Sequence, residues 1–295
     1  PLSIDRSSPS MSSTPTPVRF QSNTSRDAFL AAVERARDYI AAGDIFQVVP
    51  SHRFSAPFPW PSHAFYRALR RLNPSPYLFH LDLGGFQLAG SSPETLVRLR
   101  NGRVAIRPLA GTRPRGATPE ADAELERELL ADPKERAEHL MLLDLGRNDV
   151  GRFARPGSVR VLQSFGVERY SHVMHIVSHV EGDVAEGVNP IDLLLGALPA
   201  GTLSGAPKIR AMEIIHELEP AKRGVAYAGA AGWISSRGEV DMCIVLRTAL
   251  IKDGVIHVQA GAGVVSDSDP ETEYAETLHK SEALRRAADE AWRFA

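Results

Sequence analysis

The stretch VRLRNGRVAI, residues 97–106, decides the fold class of this chain. Apolar side chains alternate with polar ones on both sides of Asn101-Gly102, which is the pattern of two half-buried β-strands. An Asn-Gly pair readily adopts the left-handed backbone conformation that a two-residue hairpin turn requires. The stretch therefore predicts two antiparallel strands that are joined directly, with no helix between them.

Strands and helices are predicted in separate runs on both sides of this hairpin. β-branched, aromatic and alternating apolar residues predict further strands at 45–54, 77–83, 225–234, 241–251 and 255–260. Apolar spacing and capping residues predict helices from Ser25 to Gly43, from Thr118-Pro119 onward, over 190–219, and from Asp269-Pro270 towards Trp292. Because strict β-α-β alternation is missing, these runs predict an α+β fold, with antiparallel sheets packed together and helices at the periphery.

Composition divides the chain into two parts. Residues 1–24 are dominated by Ser, Thr and Pro, which bury too little apolar surface to offset the entropy of ordering, so a flexible N-terminal leader or linker is predicted there. Residues 25–295 are predicted to form one globular domain. The chain starts at Pro1 rather than at Met, as a processed protein or a piece of a longer one would.

Charge, hydropathy and cysteine usage argue against several classes of protein. The net charge of −2, without a Lys/Arg cluster, argues against a nucleic-acid partner. No apolar run approaches the roughly 20 residues of a membrane span, and no apolar signal core follows the N-terminus. The single Cys243 excludes an internal disulfide and fits a reducing compartment. These features predict a cytoplasmic protein that contacts neither membrane nor nucleic acid.

The segment LPAGTLSGAPKIR, residues 198–210, has the glycines, hydroxyls and lysine of an anion-binding loop. A nucleotide-binding P-loop needs four residues between its glycines and then Gly-Lys-Ser/Thr, whereas only three residues separate Gly201 from Gly205. Pro207, directly before Lys208, also lacks the backbone N–H that would bind a phosphate. The loop is therefore predicted to serve an anion other than a nucleotide phosphate.

Two predicted helices each carry a Glu-x-x-Glu pair, Glu135 with Glu138 and Glu273 with Glu276. Residues three apart share one face of a helix. Either pair can be part of a rim ion-pair cluster or of a solvated charged face. Because Mg²⁺ binds a few carboxylates and leaves positions for substrate oxygens, the two pairs can instead hold one such ion if the helices meet. Spacing alone does not show that they meet.

Three further features are typical of a carboxylate-binding pocket. Gly261 and Gly263 follow a predicted strand and allow backbone N–H groups close to an anion, although a tight turn explains them equally well. Arg247 lies within an otherwise apolar predicted strand and needs an anionic partner if it is buried. Tyr227, earlier in the chain, can add a hydroxyl group to the same pocket.

Two residues are candidates for proton transfer. Glu94 lies between a loop and a predicted strand, where partial burial would raise the pKa of its carboxyl group. His175 lies among apolar residues, where a histidine is either a satisfied core residue or a catalyst. Together with the carboxylate binders and the acidic pairs, these residues describe a pocket for a small, polyanionic, non-phosphorylated substrate and one divalent cation.

Segments that match a known family follow one another in order from about residue 43 to residue 284. They include GDIFQVV, NPSPYLF, GSSPETLV, RPLAGTRPRG, KERAEHLMLLDLGRNDVGR, VMHIVSHVEG, YAGAAGWI, DMCIVLRTA and QAGAGVVSDSDPETEYAETLHKSEAL. By these segments the chain resembles the chorismate-utilising enzymes, most closely the large (synthase) subunits of anthranilate synthases, component I. The resemblance implies a chorismate-binding α+β fold and the conversion of chorismate and ammonia to anthranilate and pyruvate in tryptophan biosynthesis.

The resemblance also implies roles for individual residues. Glu94 is the implied general acid for the departing ring hydroxyl, and His175 assists the later elimination. The implied ligands of Mg²⁺ are Glu138 and Glu276, with Glu135 and Glu273 acting largely through water. The implied substrate-binding residues are Gly111, Thr112, Thr202, Tyr227, Arg247, Ala260, Gly261, Gly263 and Lys280.

Two positions separate the sister activities of the family. Isochorismate and salicylate synthases, which add water, typically have a lysine where this chain has Gln47. Aminodeoxychorismate synthases typically have a lysine where this chain has Ala110. The resemblance therefore favours amination at ring carbon 2. An aminodeoxychorismate synthase is the nearest alternative, and a non-catalytic partner-binding subunit is the alternative of a different class.

Two parts of the complete enzyme are expected to lie outside these residues. Cys243 has no context typical of a glutaminase nucleophile, so a separate glutamine amidotransferase subunit is the expected source of ammonia. The family normally carries a preceding N-terminal region that contributes the site of tryptophan feedback inhibition. That region is expected to be absent from this sequence, which leaves 25–295 as the catalytic domain.

Overall fold

A computed structural model describes residues 16–170 and 173–295 of the chain. The strands are β1 (Gln21–Ser22), β2 (Gln47–Val48), β3 (Ser51–Pro57), β4 (Tyr77–Asp82), β5 (Gln87–Ser92), β6 (Thr95–Arg100), β7 (Arg103–Ile106), β8 (Leu109–Pro114), β9 (Arg160–Arg169), β10 (Val173–Asp183), β11 (Gly205–Ala206), β12 (Ala230–Ile234), β13 (Val240–Ile244), β14 (Thr248–Lys252) and β15 (Val255–Gly261). The helices are α1 (Arg26–Ala41), α2 (Ser62–Leu72), α3 (Pro119–Ala131), α4 (Pro133–Gly151), α5 (Pro190–Ala197), α6 (Gly201–Ser204), α7 (Lys208–Leu218) and α8 (Pro270–Glu290), followed by a short 3-10 helix (Ala291–Phe294).

The strands form two large antiparallel sheets. One has six strands in the order β1-β3-β15-β14-β5-β4, and the other has seven, with β12-β13-β6-β7-β10-β8 in a row and β9 paired to β10. The hairpin predicted over 97–106 is confirmed, because β6 and β7 pair with Leu99 opposite Val104. Asn101 and Gly102 take φ values of 52° and 72°, as the predicted turn requires.

Helices cover the sheets and complete their cores. Phe65 and Leu69 of α2 and Leu284 of α8 are fully buried against Ile256 and Val258 of the six-stranded sheet. A second apolar cluster joins the seven-stranded sheet to α4 and α5, and a third joins α1 and α7 to β2. The prediction of an α+β fold with packed antiparallel sheets and peripheral helices is therefore confirmed.

The helical segment predicted from Thr118 onward is two helices rather than one. The Thr118 side chain caps α3 by accepting a hydrogen bond from the backbone N–H of Ala121, as predicted. Asp132 then ends α3 and begins α4, where its carboxylate accepts hydrogen bonds from the N–H groups of Lys134 and Glu135. The residue before a proline disfavours helical backbone, so Pro133 starts a new helix with its own direction.

The predicted boundaries of two strands in the C-terminal half were wrong. The strand predicted over 225–234 begins only at Ala230. The strand predicted over 241–251 is divided into β13 and β14, which belong to different sheets. Arg247 lies in the connection with φ of 49°, a left-handed conformation that ends a regular strand. Arg247 is therefore a junction residue and not a strand residue.

Residues 1–15 of the predicted leader over 1–24 lie outside the described residues. In the remainder, Gln21–Ser22 pair with Ser55 and Phe54 of β3. The Ser22 hydroxyl also lies 2.8 Å from Nδ1 of the buried His52. These contacts add a short edge strand to the six-stranded sheet within a segment whose composition gave no strand signal.

Within the two described ranges, no helix is both long and apolar enough to cross a membrane.

The chain passes between the two large sheets at two connections that lie side by side. Glu94 lies between β5 of the six-stranded sheet and β6 of the seven-stranded sheet, and Arg247 lies in the return connection from β13 to β14. The N–H of Ile244 donates to the carbonyl of Glu94 at 3.0 Å, and the N–H of Ser91 donates to the carbonyl of Arg247 at 3.1 Å. These bonds place Glu94 and Arg247 next to each other at the seam between the sheets.

Candidate active site

Glu94 is a buried acid whose environment favours the protonated form. Only 8% of the residue is exposed, and burial raises the pKa of its carboxyl group to about 7. The Thr202 hydroxyl and the positive charges of Arg247 and Lys280 oppose that rise. A raised pKa at this junction agrees with the sequence-based expectation. Near neutral pH, Glu94 can therefore donate a proton to a ligand.

Arg247 supplies a positive charge at the same seam. Burial lowers the pKa of its guanidinium, and the negative charges of Glu94 and Glu276 favour the charged form. Among the described residues, no carboxylate lies within 4.0 Å of its guanidinium nitrogens. A guanidinium without such a partner is suited to bind a carboxylate of a ligand, since its planar fork matches that group.

Tyr227 and Gly261 meet in close contact beside Arg247. Tyr227 is buried, and burial raises the pKa of its phenol to about 12, so the hydroxyl is neutral and can donate a hydrogen bond. A Cβ placed on Gly261 would lie 2.7 Å from the Tyr227 hydroxyl oxygen and 2.6 Å from the Pro50 carbonyl oxygen. This close approach requires glycine. Lys280 donates from Nζ to the Gly261 carbonyl at 3.2 Å.

Ala260 lies at the end of β15, and Gly263 follows two residues after the strand ends. A Cβ on Gly263 would lie 2.9 Å from Nε2 of Gln47 and 3.8 Å from Oε1 of Glu138, so the glycine lets the strand end approach the acidic pair on α4. Ala260 is buried in the strand and pairs with His52. Of the predicted carboxylate binders, Gly261 and Gly263 thus lie where Tyr227 and the acidic helices converge.

The loop over 198–210 contributes one side chain to this region. Thr202 lines a small cavity together with Glu94, and its buried hydroxyl has no hydrogen-bond partner of good geometry among the described residues. Lys208 instead pairs with Asp149 at 2.9 Å. Gly205 packs so closely that a Cβ would lie 2.1 Å from the Gln47 carbonyl oxygen. Lys208 and Gly205 therefore hold the loop in place, and Thr202 faces the site.

His175 lies on β10 opposite Thr112 of β8. Its Nδ1 lies 3.0 Å from the carbonyl oxygen of Gly111, which can only accept, so Nδ1 carries the proton and Nε2 is an acceptor. Burial lowers the pKa of the imidazole, and the positive charges of Arg247 and Lys280 lower it further. His175 is therefore neutral, close to both cations, and able to accept a proton at Nε2.

The two acidic pairs come together between α4 and α8. Burial raises the pKa of Glu138 to about 7, and the negative charges of Glu135, Glu276 and Glu273 add to the rise. Glu135 pairs with Arg113 at 2.9 Å, and Glu276 pairs with Lys280. The acidic pairs of the two helices are therefore close enough to interact electrostatically, which sequence spacing left open.

The carboxylate oxygens around Glu138 are of the ligand type that a hard divalent cation binds. Glu138 has no cationic partner within 4.0 Å among the described residues, although three other carboxylates raise its pKa. In the described part of the chain, no three acidic, histidine or cysteine side chains already converge closely enough to hold an ion. A cation would remove the mutual repulsion that these carboxylates now experience, and oxygen ligands are those that Mg²⁺ prefers.

Sequence reasoning missed two residues behind Tyr227. Arg223 lies over the Tyr227 ring, with its Cζ atom 5.1 Å from the ring centroid, and pairs with Glu219 four residues earlier. An i, i+4 pair of opposite charges usually indicates an exposed helix face, so its spacing gave no signal of burial. In KRGVAY, the glycine and tyrosine that follow Arg223 were the available sequence signal that this arginine packs against its neighbours.

Comparison with known proteins shows the family to which this chain belongs. The family model described as chorismate binding enzyme matches residues 3–286. Anthranilate synthase component 1 of Cereibacter sphaeroides is 61% identical over 93% of this chain and 55% of its own length. The corresponding protein of Thermus thermophilus is 58% identical over 93% of this chain and 59% of its own length. The chain thus spans little more than half of these relatives.

Solved structures agree with this relationship. The crystal structure of anthranilate synthase component I from Streptococcus pneumoniae superposes with a TM-score of 0.85 at 46% identity, covering 92% of this chain and 60% of that one. MenF, the menaquinone-specific isochorismate synthase of Escherichia coli, superposes with a TM-score of 0.84 at 29% identity, covering 92% and 63%. Because the family model matches nearly the whole length of this chain, the chain belongs to the chorismate-binding enzymes.

Proposed function

We propose that this chain carries the synthase activity of an anthranilate synthase, with 25–295 as the catalytic domain. Chorismate and ammonia would be converted to anthranilate and pyruvate, a lyase step of tryptophan biosynthesis in the cytoplasm. The observation that carries the proposal is the junction of the two sheets, where the buried acid Glu94 lies beside Arg247, whose guanidinium has no carboxylate within 4.0 Å among the residues that the structure describes. The description of the matching family, chorismate binding enzyme, supplies the substrate, and the names of the similar proteins supply the product.

Substrate binding follows from the charges and donors around this junction. Arg247 and the neutral Tyr227 hydroxyl would bind one carboxylate of chorismate, beside the strand end at Gly261. Lys280 would assist, as would Thr202, whose hydroxyl has no hydrogen-bond partner of good geometry among the described residues. Thr112, Gly111, Ala260 and Gly263 would shape the remaining walls of the pocket.

We assign proton transfer to Glu94, which is protonated near neutral pH, and to His175, which is neutral. Protonated Glu94 would donate its proton to the ring hydroxyl at carbon 4, which leaves as water while ammonia adds at carbon 2. Neutral His175 would accept at Nε2 the ring proton that is lost when pyruvate is eliminated and the ring becomes aromatic. Both assignments rest on groups that face the same two cations, Arg247 and Lys280.

Glu138 and Glu276 would hold Mg²⁺, with Glu135 and Glu273 beside them. The bound ion would supply a positive charge for the ring carboxylate of the substrate. Glu273 is 5% exposed, and burial raises its pKa, which fits a carboxylate that a nearby cation would stabilise in the ionised form.

Ammonia would come from a glutamine amidotransferase subunit. Hydrolysis of glutamine needs an activated nucleophile, usually a thiolate beside a histidine. Burial raises the pKa of Cys243, the single cysteine, to about 11, so its thiol is protonated and unreactive at neutral pH. The name of the relatives, component 1, is consistent with a partner component.

The identity of the product tests the proposed function as a whole. With chorismate, Mg²⁺ and ammonium, the purified chain is expected to form anthranilate, recognised by its mass and fluorescence. With glutamine in place of ammonium it should form none until a glutaminase subunit is added. Formation of 4-amino-4-deoxychorismate, or of anthranilate from glutamine by the chain alone, would contradict the proposal.

Replacement of the acid tests the role of Glu94. Glu94→Gln is expected to lower kcat by about 10²–10⁴-fold with little change in KM, because a general acid acts in the transition state. At a fixed concentration of free ammonia, wild-type kcat/KM should fall above pH of about 7, where Glu94 of the free enzyme ionises. Glu181→Gln is a matched control, since Glu181 is also 8% exposed but pairs with Arg103 on other strands. A Glu94 variant that loses binding but keeps turnover at saturation would make Glu94 a binding residue.

Replacement of the acidic pairs tests the metal assignment. Glu138→Gln and Glu276→Gln are each expected to weaken Mg²⁺ binding, measured by calorimetry, and to lower Mg²⁺-dependent turnover. Even loss of a group that only supports a ligand costs on the order of 10–100-fold in affinity or activity. Glu282→Gln, at an exposed position on the same helix as Glu276, should change neither. Unchanged Mg²⁺ affinity and dependence in both test variants would exclude these residues as ligands.

A further inference from the structure

Glu219 and Arg223 form a buried ion pair directly behind the proposed carboxylate pocket. Their side chains are only 5% and 14% exposed, and the Arg223 Nη2 to Glu219 Oε1 distance is 2.6 Å. The Arg223 Nε atom adds bonds of 3.1 Å to both oxygens of Glu219. A buried ion pair is weak evidence for stability by itself, because desolvation offsets much of the attraction. Its remaining contacts therefore indicate its role.

Each member of the pair binds backbone of a neighbouring segment, and one of these segments carries Thr202. Arg223 donates from Nη1 to the carbonyl of Leu203 at 2.6 Å, next to Thr202, and from Nη2 to the carbonyl of Val49. Glu219 accepts hydrogen bonds from the backbone N–H and the hydroxyl of Ser51, at 2.8 and 2.7 Å. The pair thus joins the Thr202 turn to the start of β3.

The same pair also supports Tyr227 and the strand end at Gly261, which are the two other sides of the proposed pocket. The Arg223 guanidinium lies over the Tyr227 ring at 5.1 Å, a cation–π contact that favours one orientation of the phenol. The Cβ of Ser51, which Glu219 holds, lies 2.9 Å from where a Cβ on Gly261 would be. Thr202, Tyr227 and Gly261 therefore share one support, although they are far apart in the sequence.

We propose that Arg223, held by Glu219, is a positioning residue that orients the Tyr227 hydroxyl and the Thr202 turn towards the substrate carboxylate. The inference rests on the proposed function, because it takes Tyr227 as a carboxylate-binding group. Arg223 does not touch the substrate itself. Its planar guanidinium bridges one carboxylate, two carbonyls and one ring at once, which a lysine cannot do.

A double-mutant cycle between Arg223 and Tyr227 tests this role. Arg223→Gln in the full chain is expected to raise the Kd and KM for chorismate about tenfold, with kcat changed less than about twofold, as for coupled neighbours. In the Tyr227→Phe background the same replacement should raise them less than in the wild-type background, because the hydroxyl that Arg223 orients is gone and only its effect through the Thr202 turn remains. The decrease in Tm caused by Arg223→Gln should be equal in both backgrounds, because the structural contacts of Arg223 are the same in each.

Arg210→Gln is the matched control. Arg210 also pairs with a carboxylate, Asp44, at 2.7 Å, and its Cζ atom also lies 5.1 Å from the centroid of a tyrosine ring, that of Tyr39. Its replacement should leave the chorismate Kd unchanged. If Arg223→Gln does not fold, the Glu219→Gln/Arg223→Gln pair replaces it in the cycle, because removing both charges leaves no unpaired buried ion.

The outcomes separate this inference from the proposed function. Equal increases in Kd with and without the Tyr227 hydroxyl, in a chain that binds chorismate, would overturn the positioning role and leave the function intact. An equal effect of Arg210→Gln would do the same. Failure of the wild-type chain to bind chorismate would overturn the proposed function and this inference with it.

Discussion

Two hydrogen bonds between neighbouring crossovers hold the site together. The chain leaves the six-stranded sheet at Glu94 and returns to it at Arg247, and Ile244 and Ser91 bond these two connections to each other. Strand pairing on both sides fixes the position of each crossover, so an acid and a guanidinium are held at one seam without a flexible loop. The left-handed conformation of Arg247, with φ of 49°, is a local strain that the paired sheets maintain.

The charges at this seam are incompletely balanced within the protein itself. Burial raises the pKa of Glu94 and Glu138 to about 7, and Arg247 has no carboxylate within 4.0 Å among the described residues. Each such group costs free energy in the unliganded protein, because a buried charge without a partner is poorly solvated. A carboxylate of a ligand would balance Arg247, a cation bound with it would balance Glu138, and protonation leaves Glu94 neutral. The rest of the fold stabilises an arrangement that is complementary to such a ligand.

Local signals in the sequence were reliable where local chemistry decides the structure. The Asn101-Gly102 hairpin, the Thr118 cap and the buried acid at Glu94 were all predicted from neighbouring residues. Arg247 was placed in a strand because its apolar neighbours resemble one, and only the pairing of β13 and β14 with different sheets shows the crossover. The proximity of the acidic pairs on α4 and α8 and the burial of Arg223 likewise depend on the placement of distant segments. The resemblance to a known family supplied the site residues that spacing alone left open.

A crystal structure of the chain with chorismate and Mg²⁺, using Glu94→Gln to prevent turnover, tests the central claim most directly. We expect a substrate carboxylate within hydrogen-bond distance of the Arg247 guanidinium and the Tyr227 hydroxyl, with the residue at position 94 next to the ring hydroxyl at carbon 4. A substrate bound elsewhere, or bound with its carboxylates away from Arg247 and its ring hydroxyl away from position 94, would contradict the account.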